Sequence, residues 1–411
     1  MPVNVTSEIG RLSSVLVHTP GPELLAVTPS TREDYLYDDI IDLEIAQREH
    51  RRFVAILERF TTVHYVRDLL AQVAEREEVR HQLIEETTTI VPSEPLAKEI
   101  LAKPPEELVR MLIEGVAEEP GPLAATLNEH GYVLPPVPNL YFTRDTAMAI
   151  GEHVLVGSMR YDIRWSEELI MKMLFRYHPA LANRGILYDG SAERRYNYTL
   201  EGGDVHPVRG DTVVMGFSER SSPGAIDNLM TVMFERTAIT EAIVVVMPKE
   251  NTAIHLDMVF TQVDRELAVI FPPHFIGPGR LAILHRRKGQ KGMKEMPNIF
   301  GALQAVGLPM EPIFCGGEKR IMQEREQWGS GCNFVALRPG VVLSYARNEA
   351  TLREMEKMGF RLIPAVSFLT GQDRLPEGDR AVITFEGSEL VRGGGGPRCM
   401  TMPLQRDDPW S

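Results

Sequence analysis

The chain has 411 residues, 43% hydrophobic and 25% charged, proportions that exclude intrinsic disorder and allow a sizeable core. A formal net charge of −13 argues against a nucleic-acid or anionic-membrane surface, which needs clustered Lys and Arg, and mildly favours a small cation. No basic-then-apolar leader, no run of about 20 apolar residues and only three scattered cysteines, Cys315, Cys332 and Cys399, point to a cytoplasmic protein without a disulfide framework.

In chain order, the first long element expected is a helix over residues 31–60. Leu43, Ala46, Phe53, Leu57 and Phe60 keep one apolar face along it. Residues 66–130 are charged, amphipathic and helical, and read as an insertion folded onto the core. Pro104-Pro105 before Glu106-Glu107 marks a helix start there, since proline needs no amide partner and acids suit the helix dipole. From residue 146 one pattern recurs: an apolar strand, a tight turn and a second apolar strand. It appears at 146–157, 206–216, 259–271 and 333–346, with helical sequence such as 166–177 between. Repetition of a strand–strand–helix unit implies a closed or radial α/β assembly rather than an open sheet.

Four polar segments adjoin the apolar runs: PNLYFTRD (138–145), EGGD (201–204), HLD (255–257) and RGGGGPRCM (392–400). Cys399 follows four glycines, Pro397 and Arg398, so backbone there is free to approach a ligand and the neighbouring cation favours a thiolate. An isolated cysteine in a flexible tail is the bland alternative. Cys315 and Cys332 lack a flanking base and read as structural. His255 and Asp257, two apart, share a side if the segment is a strand, and a histidine beside a carboxylate suits acid–base work. A surface pair is the competing reading, and no further His or Cys stands at zinc-ligand spacing. Glu201 and Asp204 flank a Gly-Gly turn that a solvated loop would explain equally. Asp145 ends an aromatic run with Tyr141 and Phe142, a setting that suits a planar cation; an Arg144–Asp145 ion-pair turn is its alternative. The set says more than any member: one candidate thiol, one His-x-Asp pair, and acids enough to surround a cation.

With these motifs in order the chain resembles the arginine deiminases of the guanidine-modifying superfamily, which also holds agmatine deiminases, dimethylarginine hydrolases and amidinotransferases. The likeness runs nearly end to end, through SEIGRLSSVLVHTPGPEL, PNLYFTRD, MRYDIRW, EGGDV, GFSERSS, HLDMVFTQVD, REQWGSGCN and RGGGGPRCMTMPL. It implies a five-fold pseudosymmetric α/β propeller of ββαβ-type repeats, residues 1–411 forming one catalytic domain with the 66–130 helices inserted. It implies a cytoplasmic hydrolase converting free L-arginine to L-citrulline and ammonia through a thiouronium on Cys399, with no cofactor and no metal. Carried over by motif, Cys399 matches the nucleophile and His255 the general acid/base. Asp145 and Asp257 match the grip on the guanidinium, and Glu201 the acid between substrate and histidine. Phe142 matches an aromatic contact; Asn139, Arg164 and Arg220 match the groups on the α-carboxylate, with Arg160 an alternative to Arg164. Some members carry arginine five residues before the cysteine, where this chain has Gly394, so whether Arg392 or Arg398 reaches the site is open. A homo-oligomer is compatible with the resemblance; nucleic-acid and membrane partners are not expected. Agmatine deiminase, amidinotransferase and a non-catalytic arginine binder are the rival functions. The arginine clamp counts against the first, and the thiol against the last.

Overall fold

The computed structural model describes residues 2–127, 131–193 and 197–411. Five of its sheets follow one plan: an antiparallel hairpin, a helix, and a third strand lying parallel to the second. Ala147–Ile150, His153–Val156 and Ile186–Asp189 form the first such unit, with helix Trp165–Tyr177 in the crossover. Val205–Arg209, Thr212–Phe217 and Glu241–Val246 repeat it around helix Pro223–Arg236. Phe260–Asp264, Leu267–Ile270 and Glu311–Phe314 do so around Ile299–Ala305. Val335–Arg338, Val341–Tyr345 and Ala381–Phe385 do so around Glu349–Lys357. The fifth unit joins the two ends of the chain. Met402–Arg406 pairs antiparallel with Leu12–Val17, which lies parallel to Thr62–Tyr65 beyond helix Leu43–Leu57.

All four hairpins expected from the sequence are present. Their strands are apolar because both faces are covered: Val341–Tyr345 and Ala381–Phe385 are buried throughout, the pattern of strands sandwiched between layers. Among the described residues no helix is long and apolar enough to cross a membrane.

The helix expected over 31–60 is corrected at its start. It runs only from Leu43 to Leu57, where the Asp42 side chain accepts a hydrogen bond from the Ile45 amide and caps an otherwise unpartnered donor. Residues 31–42 make turns instead. Tyr35 and Tyr37 are buried, the Tyr37 hydroxyl donates to the Pro138 carbonyl at 2.7 Å, and Leu36 adopts φ +66°. These tertiary contacts outweigh the helical pattern.

The 66–127 stretch forms helices Val66–Ala74, Glu77–Ile90, Glu94–Leu101, Pro105–Glu114 and Pro122–Leu127; residues 128–130 lie outside the described residues. Pro105 occupies the first turn of its helix, followed by Glu106 and Glu107. The first four of these helices share a core with the inner face of Trp165–Tyr177, through residues such as Leu70, Leu83, Leu108 and Met171.

Candidate active site

A loop enters the first hairpin strand of each of the five units, and these loops carry the polar motifs. Asn139, Phe142 and Asp145 precede Ala147; Glu201 and Asp204 precede Val205; His255 and Asp257 precede Phe260; Asn333 precedes Val335; Cys399 precedes Met402. The structure therefore brings together residues up to 260 positions apart in sequence, from Asn139 to Cys399. Asn139, Phe142, Asp145, Arg164, Arg220, His255 and Cys399 line one cavity of about 30 Å³, together with Leu36 and with Gly393, Gly394 and Gly395. Glu201 and Asp257 stand one bond behind the wall.

His255 and Asp257 do not lie on a strand. His255 precedes the short 3₁₀ turn Leu256–Met258, which contains Asp257, and the turn aims both inward. The His255 Nε2 is 2.7 Å from Glu201 Oε2, and its Nδ1 is 3.8 Å from Asp145 Oδ1. Burial alone would lower the His255 pKa, but Asp145, the Glu201 hydrogen bond and charge, and Asp204 reverse this and lift it to about 9. Burial would raise Glu201, yet Arg220, His255 and Arg164 bring it down to about 2. At neutral pH the pair is an imidazolium and a carboxylate, a proton donor ready for use.

Cys399 is buried, with Sγ 3.4 Å from Asp257 Oδ2 and accepting from Asn333 Nδ2 at 3.1 Å. Arg398 favours the Cys399 thiolate, as its place in the sequence implied, but does not prevail in the free protein. Burial, then Asp257 and Asp145, push the thiol pKa well above its usual range, and the Gly396 amide and Arg398 oppose this only in part. Arg398 is already committed: its Nη1 is 2.9 Å from Asp257 Oδ2, and its Nε and Nη2 are 3.1 and 3.0 Å from Glu8. Neither Arg392 nor Arg398 is among the residues lining the cavity. Arg398 turns inward beneath the cysteine, whereas Arg392 turns outward to pair with Asp39 and Glu389.

Asp145 and Asp257 are built alike. Asp145 Oδ2 receives Arg164 Nη1 at 2.9 Å, as Asp257 Oδ2 receives Arg398. Among the described residues, each leaves its Oδ1 buried without a hydrogen-bond partner. An unpartnered buried carboxylate oxygen is costly in a native protein and calls for an explanation such as a ligand. The Arg144–Asp145 ion-pair turn does not form, because Arg144 turns away to Glu8, Nη1 to Oε1 at 3.4 Å. Asp145, Glu201 and His255 also offer ligand atoms within 4.8 Å of one another. Arg164 and Arg220 already neutralise the two carboxylates, and a divalent ion there would sit against both guanidiniums; the set suits a monovalent organic cation better.

The groups assigned to the far end of the substrate are also placed. Arg164 is held by Glu167 through Nε and Nη2 at 3.1 and 2.9 Å. Arg220 lies buried with Nη1 3.4 Å from Glu201, Nε 2.8 Å from Glu219, and its guanidinium 4.8 Å from the Tyr161 ring centre. Asn139 donates to the Tyr35 carbonyl at 2.8 Å. Arg160 is exposed and meets the site only through its backbone amide, which donates to Glu201 Oε1 at 2.9 Å. Asp204 is not the displayed acid that the Gly-Gly turn implied. It is buried, accepts from Ser218, Ser221 and the Leu256 amide, and so ties the Glu201 and His255 loops together. Burial outweighs these bonds and the His255 charge and raises its pKa to about 6.

Sequence reasoning missed Asn333, Glu8 and Glu167. Asn333 lies in the REQWGSGCN stretch, whose position before an apolar hairpin was the signal available. Nothing local distinguished Glu8.

A model of the arginine deiminase family matches residues 33–406. The chain belongs to the arginine deiminase family. It is 34% identical to the arginine deiminase of Treponema denticola, with 99% of each chain covered. It is 33% identical to that of Listeria welshimeri, again with 99% of each covered. The family makes this chain a hydrolase of arginine metabolism, as the motifs implied. Its mixed α/β fold matches that of SxtG, an amidinotransferase from Microseira wollei in saxitoxin biosynthesis, with a TM-score of 0.54, 14% identity and coverage of 99% and 98%. It also matches a dimethylarginine dimethylaminohydrolase from Pseudomonas aeruginosa in complex with citrulline, with a TM-score of 0.51, 13% identity and coverage of 95% and 99%.

Proposed function

We propose that the chain hydrolyses free L-arginine to L-citrulline and ammonia through a covalent intermediate on Cys399. One observation carries the reading: two buried carboxylates, each braced on one oxygen and unpartnered on the other, beside a thiol and an imidazolium. The guanidinium is protonated at neutral pH and presents five N–H donors in a plane. The free Oδ1 atoms of Asp145 and Asp257 accept from it and turn its central carbon towards Cys399 Sγ. Arg164, Arg220 and Asn139 hold the α-carboxylate, and Phe142 packs on the chain between.

The cation brings the positive charge that the free site lacks. As it enters, the Cys399 thiol releases its proton to solvent and the thiolate attacks the guanidinium carbon. His255 passes its proton from Nδ1 or Nε2 to the departing amino group, the C–N bond breaks, and ammonia leaves. The thiouronium on Sγ remains. His255, now neutral, takes a proton from water as the oxygen attacks the same carbon. The C–S bond breaks, the adduct's hydroxyl proton passes to the departing sulfur and restores the Cys399 thiol, and citrulline is released.

For the architecture, we propose a five-fold pseudosymmetric propeller forming one catalytic domain, with the 66–130 helices inserted in it after the unit that joins the two chain ends. The shared strand plan and the terminal sheet joining both chain ends support this. The test is incubation with arginine, measuring citrulline and ammonia, with mass spectrometry of acid-quenched protein. Equal amounts of both products are expected, and the Cys399 peptide should carry the mass of arginine less ammonia. Arginine consumed without citrulline, with its amidino group found on an added amine, would instead make this an amidinotransferase.

A further inference from the structure

Beneath Cys399 lies an ionic cluster that the reaction as described does not use. Arg398 is fully buried, a costly position for a cation unless it is paired and fully hydrogen-bonded. It is paired with two carboxylates, and four of its five N–H groups are taken: Glu8 takes two, Asp257 Oδ2 a third, and the Val205 carbonyl accepts from Nη2 at 3.1 Å. Glu8, from the opposite end of the chain, also meets Arg144 Nη1 at 3.4 Å. The Arg144 backbone amide donates to the Cys399 carbonyl at 3.1 Å. One carboxylate therefore ties the Asp145 loop, the Cys399 loop and Asp257 together.

We infer that Glu8 and Arg398 form a brace that fixes Asp257 and sets the charge balance beside Cys399, making both of them positioning residues. The inference rests on the proposed roles of Cys399 and Asp257. With Oδ2 held by Arg398, Asp257 cannot rotate, and Oδ1 is the oxygen left for the guanidinium. The charge of Arg398 is the main influence holding the Asp257 carboxyl down against its burial, with His255 and His206 adding to it. The same cation faces Cys399, together with Arg144, Asp145, Asp257, Tyr141 and Tyr345. Glu8 offsets that cation. The thiol is thus kept protonated until the substrate supplies a further charge, and the brace decides by how much.

Because the two partners have opposite charges, substitution predicts shifts of opposite sign. Iodoacetamide labelling of Cys399 is followed against pH by peptide mass spectrometry, alongside thermal melting. Arg398→Gln should raise the labelling midpoint by about one pH unit and Glu8→Gln should lower it by a smaller amount. Arg398→Lys keeps the charge and should stay near the wild-type midpoint. It cannot span Glu8 and Asp257 as a fork, so its kcat should fall by about a hundredfold. A merely structural cluster would lower melting temperatures and leave the midpoints unmoved. Unmoved midpoints, or shifts of the same sign in both neutral variants, overturn the brace. Should Arg398→Gln fail to fold, Glu8→Gln and Arg398→Lys carry the test with the same expectations. Complete labelling of Cys399 without loss of activity would instead remove the nucleophile, and the brace with it.

Discussion

Replacing Glu201 with Gln removes the charge from the shortest contact of His255 while keeping the side chain's shape. In the intact site burial lowers the His255 pKa, and Asp145, Glu201 and Asp204 together raise it from 6.5 to about 9. That lift corresponds to about 3 kcal/mol in favour of the imidazolium. Glu201 contributes a hydrogen bond at 2.7 Å as well as charge, whereas Asp145 acts across 3.8 Å. We therefore assign roughly half the lift to Glu201 and expect Glu201→Gln to titrate near pH 7.5–8, a drop of about 1–1.5 in pKa. Labelled-histidine NMR of the free protein, with His255→Ala to assign the signal, reads this directly. At about pH 8.5 the imidazolium fraction should be about fivefold lower than in the wild type, and kcat should fall off correspondingly earlier on the alkaline side. Linkage gives a second reading. A raised histidine pKa stabilises the fold fully below pH 6.5, and the benefit fades as pH rises through about 9. In Glu201→Gln that alkaline loss of melting temperature should be smaller and complete at lower pH. A His255 titration unchanged by the substitution would refute the reasoning, and so would a rate loss equal at every pH.

Cys399→Ser should abolish turnover with the fold intact, since a hydroxyl is too weak an acid for the bound cation to ionise; Cys315→Ser and Cys332→Ser, neither of which lines the cavity, should keep most activity. A working Cys399→Ser enzyme would remove the nucleophile. Arg220→Ala should weaken arginine more than agmatine, which lacks the carboxylate, so that the preference between them shrinks. A lost charge-assisted bond costs about 1.5–3 kcal/mol, so wild-type protein should prefer arginine by roughly two orders of magnitude in kcat/KM, and equal rates on both substrates would dismiss the clamp. Asn333 contacts Cys399 Sγ at 3.1 Å and accepts the Arg398 amide at 2.8 Å. Its replacement by Ala should lower kcat/KM by about ten- to a hundredfold through a misplaced thiol, and steady-state kinetics matching the wild type would show that it does not position the loop.

The sequence by itself determined the recurring hairpins, because their apolar runs and tight turns are local features. It also singled out the chemical residues, because a thiol after four glycines and a His-x-Asp pair stand out by composition, and their order matched a family. It could not place Leu36 and its neighbours. Residues 31–42 carry a helical pattern, yet Tyr35 and Tyr37 are drawn into contacts with Asn139 and Pro138, about a hundred residues away. Only the tertiary structure decided the charge state of the site. The neighbour Arg398 appeared free to stabilise a thiolate, but Glu8 and Asp257 claim it from either side. Burial then keeps Cys399 a thiol, and Asp145 with Glu201 keeps His255 an imidazolium. A pKa depends on distances of a few ångströms and on the loss of water, and neither is written in the spacing of residues along the chain.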